Sequence, residues 1–374
     1  MLPMWQNTRL TRLLDIELPI VGAPMAGGPS TPALAAAVSD AGGLGSIGLG
    51  YSTPDDIRAT IRATRELTDA AFLINLFVPP PELPVLDAAA VGQVEGMVAE
   101  LRADLGLPTR LPVPERLMVP FADQAAVLVE ERVPVAGFAF GVPPAETVTA
   151  LRENGTVVFA TATSVAEARA LVAGGVQVVL AQGAEAGGHR GQFVGGDGSG
   201  PREEGAPVGD PIGTMALVPA VVDAVGADVP VVAAGGLRDG RSVLAALALG
   251  ADAAQLGTAF LRTPEAGTNE PYRAALAAAD GSETVLTTSF SGKPARGLRN
   301  TYVDTVGVRP DVPPYPVTHV LTTELRAAAR AAGRSDLQSL WAGQGVAGAR
   351  DLPAGRLLGL WVDEIEAILE GWRS

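Results

Sequence analysis

The segment Gln182-Gly183-Ala184-Glu185-Ala186-Gly187-Gly188-His189-Arg190-Gly191 sets one of only two histidines in a glycine-rich loop just past an apolar run. An imidazole titrates near neutral pH, so His189 can take or give a proton, and glycine lets backbone approach a ligand closely. A second pair of segments could bind an anion. Ala233-Ala234-Gly235-Gly236-Leu237-Arg238-Asp239-Gly240 leads into a helix, and Gln255-Leu256-Gly257-Thr258 closes another apolar run. Backbone N–H groups freed at these glycines, a helix N-terminus and the Thr258 hydroxyl would make a cradle that needs no lysine. Simpler roles exist for each: the glycines can make tight turns, and His189 can cap a helix or sit in a core. His319, after Tyr315-Pro316-Val317-Thr318, reads as a packing or surface residue.

Positioning these groups requires a scaffold, and the chain supplies eight short apolar runs: Pro19–Ala23, Leu44–Gly48, Phe72–Leu76, Pro134–Ala139, Thr156–Thr161, Val176–Ala181, Pro230–Ala234 and Ala253–Gly257. Continuous apolar runs are expected of parallel strands covered on both faces. Alanine-rich helical stretches lie between them. One is Thr31–Ala41, with Ser30 or Thr31 as cap, Pro32 in its first turn and Gly42 after its end. Eight strand–helix repeats predict a (β/α)8 TIM barrel, whose C-terminal face carries the chemistry and whose last two strands commonly hold a phosphate. The proline-rich 79–114 stretch and the stretch from about Arg262 to Gly333 break the rhythm, and each begins just after a strand. They are expected to pack together as a cap, giving a barrel of 1–79, 113–262 and 334–374 and a smaller, discontinuous cap domain of 80–112 and 263–333.

Composition removes other function classes. The 374 residues are 47% apolar, enough for a large core, and the net charge of −14 argues against a nucleic-acid groove or an anionic membrane surface. With no cysteine and two distant histidines, disulfides, thiolate chemistry and a metal site are not expected. The charge-free stretch Leu18–Ser39 contains four prolines and does not read as a membrane span. The first residues lack a basic then apolar signal pattern, which predicts a cytoplasmic protein. Gly43-Leu44-Gly45-Ser46-Ile47-Gly48 satisfies G-x-G-x-x-G but follows a helix and enters a strand, the reverse of a dinucleotide fingerprint, and no P-loop motif occurs.

The chain resembles the class I nitronate monooxygenases, FMN-dependent (β/α)8 barrels once called 2-nitropropane dioxygenases. The resemblance spans nearly the whole length. It rests on Pro19-Ile20-Val21-Gly22-Ala23-Pro24-Met25-Ala26-Gly27-Gly28 with Ser30-Thr31-Pro32 and Ala41-Gly42-Gly43-Leu44-Gly45, on Gln182–Gly191, on Val231–Gly240 with Gln255–Thr258, and on Trp341-Ala342-Gly343-Gln344. It implies that the flavin ring lies against Ala23, Pro24, Met25 and Ala26, with Asn75 and Gln182 as polar contacts. It also implies FMN contacts at Gly187, Gly188, Gly235, Gly236, Gln255, Leu256, Gly257 and Thr258, and His189 as the catalytic base. Thr288–Gly297 looks like the family's cap loop, which makes Ser291, Lys293 and Arg296 candidates on the substrate side.

The reaction so implied is oxidation of a small-molecule alkyl nitronate, or a nitroalkane, by O2 to a carbonyl compound and nitrite, with His189 as base or as an anion-holding imidazolium. Two further readings stand beside it. One is an NAD(P)H-dependent FMN oxidoreductase, of quinone reductase or enoyl-acyl-carrier reductase type, which shares the Glu-Ala-Gly-Gly-His core. The other is a non-catalytic flavin- or phosphate-binding barrel. The arginine after His189 and the Gly-Gln ending favour the monooxygenase. The chain departs from the family in the glycine-rich insertion Gly195–Gly205, which reads as lid-like, and in lacking a tyrosine shortly before Gln344. Its alanine-rich helices permit a homodimer.

Overall fold

Valine, isoleucine, leucine and alanine fill the strands because both strand faces are buried. In the computed structural model, which describes residues 5–193, 211–307, 309 and 311–372, the strands are β1 (Ile20–Gly22), β2 (Gly45–Gly48), β3 (Phe72–Phe77), β4 (Val135–Ala139), β5 (Val157–Ala162), β6 (Val178–Gln182), β7 (Gly188–His189), β8 (Val231–Ala234), β9 (Ala253–Leu256), β10 (Thr284–Thr287) and β11 (Ala295–Leu298). Eight of them form one parallel sheet in the order β1-β9-β8-β6-β5-β4-β3-β2. A parallel bridge between Val21 and Leu44 joins its two ends, with Gly22 N donating to Leu44 O at 2.9 Å, so the sheet closes into a TIM barrel. Each of the eight predicted runs overlaps a barrel strand, three of the strands running one residue further. The insertion Gly195–Gly205 lies outside the described residues.

Alternate residues of each strand face inward or outward, and the two sets form separate clusters. Val21, Leu73, Val135, Phe159, Val178 and Val232 share one with Leu10, from the helix Arg9–Leu14. The outward set, with Ile20, Ile74, Val158 and Val179, packs against the surrounding helices. The helix Pro32–Asp40 is capped as its sequence indicates, Leu34 N donating to Thr31 Oγ1 at 3.0 Å with Pro32 at its start. The last helix, Ala354–Gly371, buries Ala354, Leu357, Leu358, Trp361 and Ile365 at helical spacing and packs against Gly240–Ala248 and Pro32–Asp40. It thereby joins the helices beside the last and first barrel strands.

Two features lie outside the repeat. Val94, Met97, Val98 and Leu101 of the helix Ala88–Asp104 share an apolar cluster with Phe290, Tyr302, Val317, Leu321 and Leu325. The other is a three-stranded antiparallel sheet in the order β10-β11-β7, which sequence patterning did not reveal. Its register sets Ala295 opposite His189 and Arg296 opposite Gly188. The histidine loop is thus held by backbone pairing as well as by side chains.

Candidate active site

At the C-terminal ends of the barrel strands a cavity of about 650 Å3 opens. The β1 loop contributes Ala23, Pro24, Met25 and Ala26; strands β3 and β6 contribute Asn75 and Gln182; Gly187, Gly188 and His189 come from the loop and short strand after β6; Gly235, Gly236, Gln255, Gly257 and Thr258 come from β8, β9 and the turns that follow. These sequence-predicted residues therefore share one wall system. Leu256 does not join them, because its side chain points outward into the barrel–helix core. Ser291, Lys293 and Arg296 also lie off the cavity wall: Ser291 bonds the histidine, Lys293 Nζ donates to Gln192 O at 2.9 Å, and Arg296 Nε donates to Ala184 O at 3.0 Å.

His189 is held through both its ring and its backbone. Its Nε2 lies 2.8 Å from Ser291 Oγ, and its backbone carbonyl accepts from Gln182 Nε2 at 3.0 Å. Gln182 Oε1 in turn accepts from Gly191 N at 2.8 Å, so the glutamine amide spans the loop with both of its ends. Arg190, buried beside it, donates to the carbonyls of Gln182 and Gly183. Burial, with Lys293 and Arg326 adding positive potential, pushes the His189 pKa down to about 3, so the ring is neutral at ordinary pH.

The ring's surroundings are aromatic. Phe140 lies edge-on at 6.0 Å between centroids, Tyr315 at 6.0 Å and Trp341 at 5.3 Å. Phe140 has a φ of +76°, a conformation that a bulky residue adopts only when its surroundings hold it there. Lys293 Nζ lies 4.6 Å from the centre of its ring.

Close backbone approach explains the glycines. A Cβ on Gly187 would come within 2.5 Å of Gly343 N, and one on Gly345 within 2.5 Å of Gly236 O. Gly343 N also donates to Thr258 Oγ1 at 2.9 Å, which brings the Trp341–Gly345 loop onto the same wall. One expectation is corrected here. The N-terminus of the helix Gly240–Ala248 is closed by carboxylates, Asp239 Oδ1 accepting from Ser242 N and Glu364 Oε2 from Gly240 N, so it is not free for an anion. Glu185 likewise occupies the start of the helix Thr214–Val225, accepting from Thr214 N and Oγ1. Of the cradle expected from the sequence, the glycine turns and Thr258 remain on the cavity wall.

Several lining residues were not foreseen. Tyr51, Phe140, Tyr272, Arg326, Arg330, Gln338 and Trp341 all reach the cavity, and so does His319, whose ring stacks on Tyr51 at 4.3 Å. His319 does pack, as expected, but on the cavity wall. Burial and then the neighbouring Arg326 hold its pKa well below the ordinary value, and burial pushes the Tyr51 hydroxyl up to about 12. Among the described residues no aspartate or glutamate lines the cavity, and no three His, Asp or Glu side chains gather as a metal site. No helix among these residues is long and apolar enough to cross a membrane.

The geometry agrees with comparisons to known proteins. The family model for nitronate monooxygenase matches residues 7–362. A nitronate monooxygenase of Pseudomonas aeruginosa is 44% identical over 365 residues, covering 96% of this chain and 99% of that protein. A probable nitronate monooxygenase of Staphylococcus aureus is 37% identical over 373 residues, 98% and 99% of the two chains. Among solved structures, nitroalkane oxidase from Streptomyces ansochromogenes superposes with a TM-score of 0.87 at 42% identity, covering 97% of this chain and 99% of that one. FabK from Thermotoga maritima superposes at 0.71 with 31% identity and 98% coverage of each. With a half-buried, neutral histidine on a glycine-walled cavity and this breadth of similarity, the chain belongs to the nitronate monooxygenase family of flavin-dependent oxidoreductases.

Proposed function

We propose that the protein uses FMN and O2 to oxidise alkyl nitronates, and nitroalkanes after loss of a proton, to a carbonyl compound and nitrite. The single observation that carries this reading is a neutral, hydrogen-bonded His189 on the wall of a cavity that bears arginines and, among the described residues, no carboxylate. A reactant that becomes an anion suits such a cavity; a cationic one does not.

The residues present fit a flavin. Gln255 Oε1, Thr268 Oγ1 and Gln338 Nε2 are buried without a protein partner, and all three residues line the cavity. Buried polar atoms of this kind need a partner, and a ring system with several donors and acceptors supplies it. Met25 and its neighbours offer an apolar face, Asn75 and Gln182 polar contacts, and the turns at Gly187, Gly235, Gly236, Gly257 and Thr258 a phosphate site. When bound, the flavin supplies the electron-accepting chemistry and the reaction with oxygen.

The chain supplies the proton chemistry and the positioning. His189, neutral in the free protein, accepts the α-proton of a nitroalkane; the depressed pKa rises as negative charge develops beside it. Ser291 determines which ring nitrogen is basic. With its hydroxyl donating to Lys293 O, 3.2 Å away, Ser291 Oγ accepts from His189 Nε2–H and leaves Nδ1 as the base. Phe140, Tyr315 and Trp341 keep the ring's surroundings poor in water. The segments 80–112 and 263–333 act as a cap over the barrel and limit access.

The test is product analysis. Flavin-loaded protein given ethyl nitronate in air should consume O2 and release nitrite, and the His189→Asn variant should keep this activity while its rate on neutral nitroethane falls roughly 100- to 10,000-fold. Equal rates of the variant and the parent on nitroethane would remove His189 as proton acceptor.

A further inference from the structure

Arg326, on the helix Thr323–Ala331, has no carboxylate partner among the described residues. Its Nη2 donates to His319 O at 2.7 Å and to Thr323 Oγ1 at 3.1 Å, its Nε is enclosed with no partner, and it forms no ion pair among the described residues. The charged or ionisable groups that act on it are Arg330, Tyr51 and Tyr302. A guanidinium partly withdrawn from water, with its Nε enclosed, costs free energy unless an anion compensates it. In a chain with 41 acidic and 27 basic side chains, a half-buried arginine on a cavity that no acid among the described residues lines is not an accident of composition.

His319 completes the arrangement. Its Nδ1 lies 3.3 Å from Arg326 Nη2, whose two hydrogens it shares with His319 O and Thr323 Oγ1; facing a group that can only donate, Nδ1 is unprotonated and the neutral ring carries its proton on Nε2. Stacking on Tyr51 fixes the ring plane, and both His319 and Arg326 line the cavity that His189 lines. A guanidinium beside an imidazole N–H offers several donors and no acceptor to a ligand.

We propose that Arg326 and His319 form the subsite that receives the planar, two-oxygen anion of the substrate. This rests on the reading of the protein as a nitronate-oxidising enzyme. Two groups have that chemistry: the nitronate itself, and a carboxylate elsewhere on the same molecule. Either would be held by the guanidinium and the His319 Nε2–H, leaving the reacting carbon to His189 and the flavin.

The experiment uses flavin-loaded Arg326→Met and Arg326→Lys variants. Non-reacting nitrate and propionate are titrated by the change in flavin absorbance, and KM is measured for ethyl nitronate and propionate 3-nitronate. Arg326→Met should weaken anion binding and raise KM roughly 10- to 100-fold, the value of a charged hydrogen bond, and Arg326→Lys should recover part of the loss. A rise in KM for both nitronates assigns the subsite to the nitronate group; a rise confined to propionate 3-nitronate assigns it to the carboxylate. Unchanged dissociation constants and KM in variants that retain flavin would overturn the proposal. If Arg326→Met does not fold, His319→Phe, which keeps the stack on Tyr51, should still lose several-fold in nitrate affinity, and no loss there would overturn it as well. A parent protein that binds nitrate through Arg326 but oxidises no nitronate would remove the proposed reaction and leave the subsite standing.

Discussion

His189 Nε2 and Ser291 Oγ are 2.8 Å apart, although 102 residues separate them in the chain. The contact exists because β7 pairs with β11, which brings the Ser291 turn against the histidine loop. Replacing Ser291 by Ala should lower kcat/KM for neutral nitroethane roughly 10-fold, because the ring loses the partner that sets its tautomer, while oxidation of preformed ethyl nitronate changes little. Steady-state rates on both substrates test this, and Ser291→Thr should restore activity.

The pH dependence follows from the same ring. A base works only when unprotonated, and burial with Lys293 and Arg326 lowers the His189 pKa to about 3. The unprotonated form therefore persists as pH falls through the ordinary histidine range. kcat/KM for neutral nitroethane should stay level from about pH 8 to about pH 5, whereas a histidine with the ordinary value would lose roughly 30-fold over that interval. A pH–rate profile that bends near 6.5 contradicts the assignment.

Eight strands and one capped helix could be read from the sequence because burial on both faces leaves continuous apolar runs, and Thr31-Pro32 with a later glycine is local chemistry. The β7-β10-β11 sheet could not. Gly188–His189 is two residues long, and Ala295–Leu298 carries an arginine and a glycine, so neither shows a strand period. The glycine-rich wall was legible, yet Glu364, lying 124 residues from Gly240, closes a helix end that looked free. Arg326 and His319 carry no local mark at all. Their approach to the cavity depends on how the segments outside the barrel pack, and helical arginines are ordinarily solvated.

The glycine wall makes a stability prediction. Gly187→Ala would drive a Cβ to within 2.5 Å of Gly343 N and 2.6 Å of Ala342 C, both backbone atoms that cannot rotate away. The variant should lose about 1–3 kcal/mol of stability and retain less flavin after dialysis. Thermal unfolding and the absorbance ratio of flavin to protein measure the two effects.

Arg102 ties the helix Ala88–Asp104 to the helix that carries Arg326. It is buried, donates to Pro108 O at 2.7 Å and pairs with Glu324 Oε2 at 2.8 Å. Arg102→Ala leaves carbonyl oxygen unpaired and a void behind it, while Glu324 stays solvated, and should cost about 2–4 kcal/mol. KM for nitronates should rise, while flavin content, set by the barrel, should hold. Chemical denaturation and steady-state kinetics on the same preparation separate these outcomes.

The central claim is that the flavin takes its electrons from a nitronate. Mixing the flavin-loaded protein anaerobically with propionate 3-nitronate, and separately with NADH and NADPH, while following flavin absorbance, tests it most directly. Rapid bleaching by the nitronate, with slow or no change from either nucleotide, is the predicted result. Rapid bleaching by a pyridine nucleotide with no response to the nitronate would contradict the account and make the protein a reductase.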